Sequence, residues 1–188
     1  MNQFGHLFRI SILGESHGNT VGEVIDGCPA GLPVSLEDFL PDLERRKGGT
    51  QKGTTPRKES DLPILESGIF QGKTTGFPVL IRFLNENIRS QDYEQQLKIP
   101  RPEHADWTAM VKFGGFQDYR GGGHFSARLT TGIVAAGVIA KKLMPAVQIS
   151  ASVIQIAGES DLEAGLQKGI DAKDSVGGII ECKVNGLP

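Results

Sequence analysis

The sequence predicts an α+β fold with largely antiparallel sheets and a long internal helix, on three observations. Apolar, β-branched runs come in pairs joined by short polar turns: residues 7–13 (LFRISIL) with 21–28, and residues 62–69 with 78–84 (PVLIRFL). Such pairs read as antiparallel neighbours. Residues 126–143 carry small and apolar side chains at helical spacing, giving a smooth face that can pack closely on a sheet. At 188 residues the chain has length for one good-sized core, and residues 1–188 are expected to form a single domain.

The elements follow in order. The first strand ends at Gly14-Glu15-Ser16-His17-Gly18, which places His17 at a strand end on a rigid scaffold. A turn at residues 29–33 leads to Ser35, which opens a helix running to about Gly48. Ser35 is its N-cap, and Glu37 and Asp38 suit the positive end of the dipole. Pro41 must kink that helix or lie within its first turns. Leu36, Phe39, Leu40 and Leu43 form its apolar face, and Arg45 and Arg46 fall at the C-terminal end, where cations are favoured. Residues 85–100 are polar and mixed and suggest no element. Residues 101–140 read as loop, short helix, glycine-rich loop and long helix. In the long helix Leu129, Ile133, Ala136, Gly137 and Ala140 mark the expected packing face, and Pro145 stops it. Residues 148–157 alternate and form a strand, 161–173 a short helix, and 178–184 a last strand.

Composition narrows the class. A net charge of −2 with 22% charged residues gives no nucleic-acid or acidic-tail character. No apolar run approaches a membrane span, and the first residues lack a secretion signal, so a cytoplasmic protein with no membrane partner is expected. Cys28 and Cys182 lie far apart in apolar stretches and are expected to be reduced and buried. The end at Asn185-Gly186-Leu187-Pro188, a turn just after a strand, looks unfinished.

Two loops carry anion chemistry. In Tyr119-Arg120-Gly121-Gly122-Gly123-His124-Phe125-Ser126 the glycines let backbone N–H groups approach a ligand, and Ser126 caps the helix that follows. A helix start offers unpaired donors and the positive dipole end, with Arg120, Arg128, His124 and His104 nearby in sequence; a phosphate suits it. The same run is also compatible with a plain flexible turn, and a lone histidine such as His17 with a solvated bystander. The second loop, residues 47–58, joins glycines and hydroxyls to the cations Arg45, Arg46, Lys47, Lys52, Arg57 and Lys58. It is suited to closing over an anionic ligand. It has no interleaved aromatic, which argues against nucleic acid.

Five separated stretches carry a resemblance: GESHGNTVGEVIDGCPAG at residues 14–31, DLERRKGGTQKGTTPRKESD at 42–61, RSQDY at 89–93, RPEHAD at 101–106 and DYRGGGHFSAR at 118–128. In order and content they resemble the motifs of chorismate synthases, over essentially the whole chain. The resemblance implies a β-α-β sandwich, assembly as homotetramers, and conversion of 5-enolpyruvylshikimate 3-phosphate to chorismate by 1,4-elimination of phosphate and a ring proton. It implies reduced FMN as cofactor without net redox change, and in some relatives NADPH as flavin reductant.

Carried over by position, the resemblance implies that His17 stands at the substrate phosphate and His104 at the reduced flavin, both as catalytic groups. Arg46 is expected to grip substrate and to border the cofactor, and Ser126 and Arg128 to contact substrate. His104, His124, Phe125 and Ser126 are expected against the flavin. A phosphate leaving group needs cations and a proton source, and histidine titrates in the right range. Some relatives have Arg-Ser where this chain has His124-Phe125, and Glu where it has Leu129, so backbone rather than those side chains carries the expected contact. Lys52 stands where arginine is expected; it keeps charge but loses the bidentate fork. Family members run longer, and the acidic residue that assists proton removal lies beyond the matched part. The chain is therefore expected to be the N-terminal portion of such an enzyme. A non-catalytic anion- or nucleotide-binding module built on the two loops is the competing class.

Overall fold

The computed structural model describes residues 2–48, 57–87, 99–102 and 104–187. The expected RSQDY stretch and Lys52 lie outside these. Contacts divide the chain into two compact units, one comprising Met1–Gly48 and Arg57–Ala140, the other, in its described part, running from Lys141 onward.

The first unit is built on a five-stranded sheet in the order β1-β2-β3-β7-β4, with β1 Gln3–Phe4, β2 Arg9–Gly14, β3 Thr20–Asp26, β4 Ile64–Ser67 and β7 Val79–Leu84. Every neighbouring pair is antiparallel. Both expected hairpin pairs are present: β2 with β3, and β4 with β7. The second is interrupted by a ribbon of β5 Ile69–Phe70 and β6 Lys73–Thr74. The period of two in the sequence gives one buried face. Val79, Ile81 and Phe83 of β7 lie opposite Ile25, Glu23 and Val21 of β3, and all six are fully buried.

One member of that row is a carboxylic acid. Glu23 sits between Ile12 and Ile81, and neither of its oxygens has a hydrogen-bond partner among the described residues. Burial pushes its carboxyl well above the usual carboxylate range, which favours the neutral form.

The remaining core comes from the helices. The segment expected as one helix from Ser35 is a 3-10 turn, Leu36–Asp38, followed by α1, Leu40–Arg46. Pro41 explains the break: it sits in the first turn of α1, where its missing N–H has no partner to lose. The Asp38 carboxylate accepts from the Ser35 N–H at 2.8 Å. Phe39 and Leu43 are buried, each contributing about 1.5–3 kcal/mol of transfer free energy. Leu36 and Leu40, expected on the same face, are exposed.

After α2, Asp106–Phe113, comes α3, Thr130–Leu143. Helical backbone starts four residues later than expected, because a 3-10 turn over Ala127–Leu129 intervenes. Its buried stripe is Gly132, Ala135, Ala136 and Ile139 with Thr131 and Val138. The expected face is thus rotated: Leu129 and Ala136 are buried, but Ile133 is exposed and Gly137 meets nothing. Close approach to the sheet occurs at Gly132, where a Cβ would stand 2.7 Å from Glu23 Oε2.

In the second unit β8, Gln148–Ile156, pairs antiparallel with β9, Gly178–Asn185, with a bulge after Val153. Between them α4, Leu162–Ala172, is capped by Asp161, whose carboxylate accepts from the Glu163 and Ala164 N–H groups at 3.1 and 3.2 Å. Both cysteines are free thiols, as expected, but only Cys28 is buried; Cys182, on β9, is exposed.

Candidate active site

The turn from β2 to β3 and the glycine-rich loop meet. Ser16 N–H donates to the Gly123 carbonyl at 3.0 Å, and His124 Nδ1–H donates to the Gly14 carbonyl at 2.8 Å. Asn85, just past β7, closes the β2–β3 turn: its Nδ2 donates to the carbonyls of Glu15 and Gly18 at 3.0 and 2.7 Å. Ser16 and His17 are consequently buried.

The three glycines run at φ +57°, +82° and +53°, backbone that side-chain-bearing residues rarely adopt. Space is an equally strict reason for them. A Cβ on Gly121 would stand 2.7 Å from His17 Nε2, and one on Gly122 would stand 2.7 Å from His104 Cε1. On Gly123 it would lie 2.0 Å from the Asp118 carbonyl oxygen. The loop backbone therefore links His17, 87 positions earlier in the chain, to His104 through two adjacent glycines. Close backbone approach was expected toward a ligand; in the structure its first beneficiaries are two imidazoles.

Each histidine has charged company. Arg57 donates to Ser16 Oγ at 2.8 Å and to the Ser16 carbonyl at 3.0 Å, while its Nε holds Glu59 at 2.7 Å. Asp118 accepts from Arg120 at N, Nε and Nη2, at 3.0, 2.9 and 2.7 Å. Burial alone would raise the Asp118 carboxyl, but Arg120, with a smaller contribution from His17, outweighs it and lowers it. His104 Nδ1 lies 2.6 Å from the Asp106 carboxylate at the start of α2. Asp106 is lowered to about 2, chiefly by its hydrogen bonds from Arg101. Asp106, Ala109 and Met110 of α2 line a crevice with Gln117, Asp118 and Gly122, and Gln117 Oε1 is buried there without a hydrogen-bond partner among the described residues.

A second cluster joins Arg46, Asp61 and Arg128. Arg46, at the end of α1, donates to Thr130 Oγ1, Asp61 Oδ2 and the Ala127 carbonyl at 3.2, 3.2 and 3.1 Å. Arg128 also bonds Asp61, and donates to Asn85 Oδ1 at 2.9 Å and the Leu84 carbonyl at 3.1 Å. Two guanidiniums on one carboxylate leave a positive charge in excess. Burial lowers the Arg46 pKa, with Asp61 opposing. Arg46 keeps 20% of its side chain exposed; Arg128 keeps 4%, its guanidinium being engaged within the protein. Asp61 itself takes φ +51°.

The residues singled out in the sequence are thus gathered unevenly. His17, His104 and the backbone of the glycine loop come together, and Arg46 and Arg128 meet through Asp61. Ser126 caps the turn that carries Arg128, accepting from its N–H at 3.3 Å. Phe125 lies against Phe113 of α2, ring centroids 6.3 Å apart. Asn85 was missed because it stands in no recognisable local pattern; Asp61, the last residue of the 42–61 stretch, and Asp106, inside RPEHAD, were quoted without a role.

Comparison with known proteins follows the same lines. The chorismate synthase family model matches residues 8–188. A chorismate synthase from Chitinophaga pinensis is 61% identical over 189 residues, covering all of this chain and 57% of that protein. One from Lachnospira eligens is 44% identical, covering 98% of this chain and 57% of the relative. One from Methanocaldococcus jannaschii is 51% identical over 77% of this chain and 38% of its own length. A crystal structure of chorismate synthase superposes with a TM-score of 0.71 at 23% identity, over 97% of this chain and 59% of that one, which establishes the shared α+β fold. The chain spans under two thirds of the length of these curated relatives. With a family match along nearly its whole length, the chain belongs to the chorismate synthase family.

Proposed function

We propose that this chain supplies the histidine-and-arginine part of a site that converts 5-enolpyruvylshikimate 3-phosphate to chorismate and phosphate, a carbon–oxygen lyase reaction dependent on reduced FMN. The observation that carries the reading is the placement of His17 and His104 against adjacent glycines, next to an arginine cluster with positive charge in excess. A buried imidazole backed by the Ser16–Arg57 contact suits protonation of a departing phosphate. Arg46, partly exposed at the edge of its cluster, suits the anionic ester and the border of the cofactor, with Ser126 and Arg128 holding the adjacent turn.

The residues fit a reduced flavin. The loop backbone at His124, Phe125 and Ser126, a half-exposed aromatic ring at Phe125 and an imidazole at His104 are the groups that would hold it. Bound there, reduced flavin supplies the electron density that eases phosphate departure. His104 orients and holds a proton beside it, Arg46 steadies the leaving anion, and His17 delivers a proton to phosphate oxygen. NADPH as flavin reductant, a cytoplasmic location and homotetramer assembly accompany the reading as family expectations. No helix among the described residues is long and apolar enough to cross a membrane.

An anaerobic assay with reduced FMN and 5-enolpyruvylshikimate 3-phosphate, following phosphate release and chorismate absorbance, tests this. Turnover by a full-length form, abolished by His17→Ala, is the expected result. Tight substrate binding with no turnover in any form would instead support a non-catalytic anion-binding module.

A further inference from the structure

Resting on the reading that His17 hands a proton to the departing phosphate, we propose that Asn85 is the positioning residue for that imidazole. Its amide registers the turn carrying His17 against the arginine cluster, and its two ends serve different kinetic constants.

The sheet brings Asn85 to this place. Leu84, the last residue of β7, pairs with Thr20 of β3, and the ladder continues one step as the Asn85 N–H donates to the Asn19 carbonyl at 3.1 Å. The side chain is thereby held beside residues 15–18. These form a four-residue turn, closed by the Gly18 N–H on the Glu15 carbonyl at 3.1 Å, with Ser16 and His17 at its centre. The amide Nδ2 donates to the carbonyls at both ends of that turn, Glu15 at 3.0 Å and Gly18 at 2.7 Å. Its Oδ1 accepts from Arg128 Nε at 2.9 Å. The partners fix which way the amide faces. Carbonyls only accept and a guanidinium only donates, so a flipped amide would set oxygen against oxygen and N–H against N–H. Asn85 is 9% exposed, so water competes little for these bonds. The same guanidinium meets the Leu84 carbonyl at 3.1 Å and the Asp61 carboxylate, which also holds Arg46. One side chain thus joins the turn of the proton donor to the two arginines that share Asp61.

A polar plug in a buried turn would affect stability alone and leave both kinetic constants of the folded enzyme as they are. A positioning residue would not. In a full-length form, Asn85→Ala removes the donors to the turn without adding charge. Its kcat should fall about ten- to a hundredfold, the cost of a misplaced group, with KM for 5-enolpyruvylshikimate 3-phosphate held within about threefold. Asn85→Asp, of similar volume and ionised beside Arg128, loses the same donors and should match that kcat loss. It also cancels the excess positive charge of the cluster, so its KM should rise by about tenfold, the order of one unit charge at intermediate dielectric. Deuterium exchange in the same proteins, without flavin or substrate, reads the turn directly. Amides of residues 15–19 should exchange about tenfold faster in both variants, while those of β2 keep their protection. If the alanine variant does not fold, the kcat and turn exchange of the aspartate variant decide. Unchanged exchange in the turn of a folded variant, or faster exchange with kcat intact, overturns the proposal. A wild-type full-length form without turnover would remove the lyase reading and the catalytic part of this role, and the exchange result would still decide whether Asn85 holds the turn.

Discussion

At the scale of the residue, two substitutions separate chemistry from support. His17→Ala should lower kcat of a full-length form by about a hundredfold or more, the range of a lost proton donor. Gly121→Ala should approach that loss without removing any polar group, because its methyl would claim the space of the His17 ring. Steady-state kinetics with a matched unfolding curve would show whether the glycine acts through the imidazole. An active Gly121→Ala enzyme would contradict the geometry. Asp61 is the second case. Asp61→Ala leaves Arg46 and Arg128 without their shared anion and should destabilise the fold by about 3–5 kcal/mol in urea unfolding. Asp61→Asn should cost less, since asparagine keeps one of the two acceptor oxygens and tolerates the positive φ. These residues differ in legibility. The histidines, arginines and glycines announce themselves by type and spacing. Asp61 does not, because its importance lies wholly in which two guanidiniums fold onto it.

The elements repeat this division. Strands β2, β3, β7, β8 and β9 were readable from alternating or β-branched runs, because side chains on a strand must alternate between faces. Helix α3 was readable as a helix but not in its phase. Its small residues fit several stripes, and the sheet selected the one that seats Gly132 over Glu23. That contact has a thermodynamic consequence. Glu23 has its pKa raised in the folded state, so its contribution is fully present below the unfolded value and is lost as pH rises through the folded one. Wild-type stability should therefore decline with rising pH on the alkaline side of the ordinary glutamate range, and Glu23→Gln should flatten that limb. Glu23→Leu should stabilise by about 1–3 kcal/mol at neutral pH by removing a buried polar group that has no partner among the described residues. Denaturant midpoints across pH decide it, and an unaltered slope in the glutamine variant would refute the assignment.

For the whole molecule, acid stability should be governed by the opposite kind of carboxylate. Asp106 is depressed, so its contribution is present above the unfolded aspartate value and lost as pH falls from there to about 2. Asp106→Asn should remove part of the acid limb, on the order of 1–2 kcal/mol, leaving the Glu23 limb untouched; thermal melts between pH 2 and 6 on wild type and variant would detect it. By itself the sequence determined the family, the α+β class, the main strands along the chain and the residue types at the site, because these follow from local periodicity and from contiguous motifs. Tertiary structure alone decided that β3 pairs with β7 across more than fifty intervening residues, that Asn85 and Asp61 tie distant loops to the arginines, and that the glycine run brings His17 and His104 together. Those outcomes depend on packing between segments remote in the chain, and hydrophobic pattern, being a local property, carries no record of which remote partner will fill a given space.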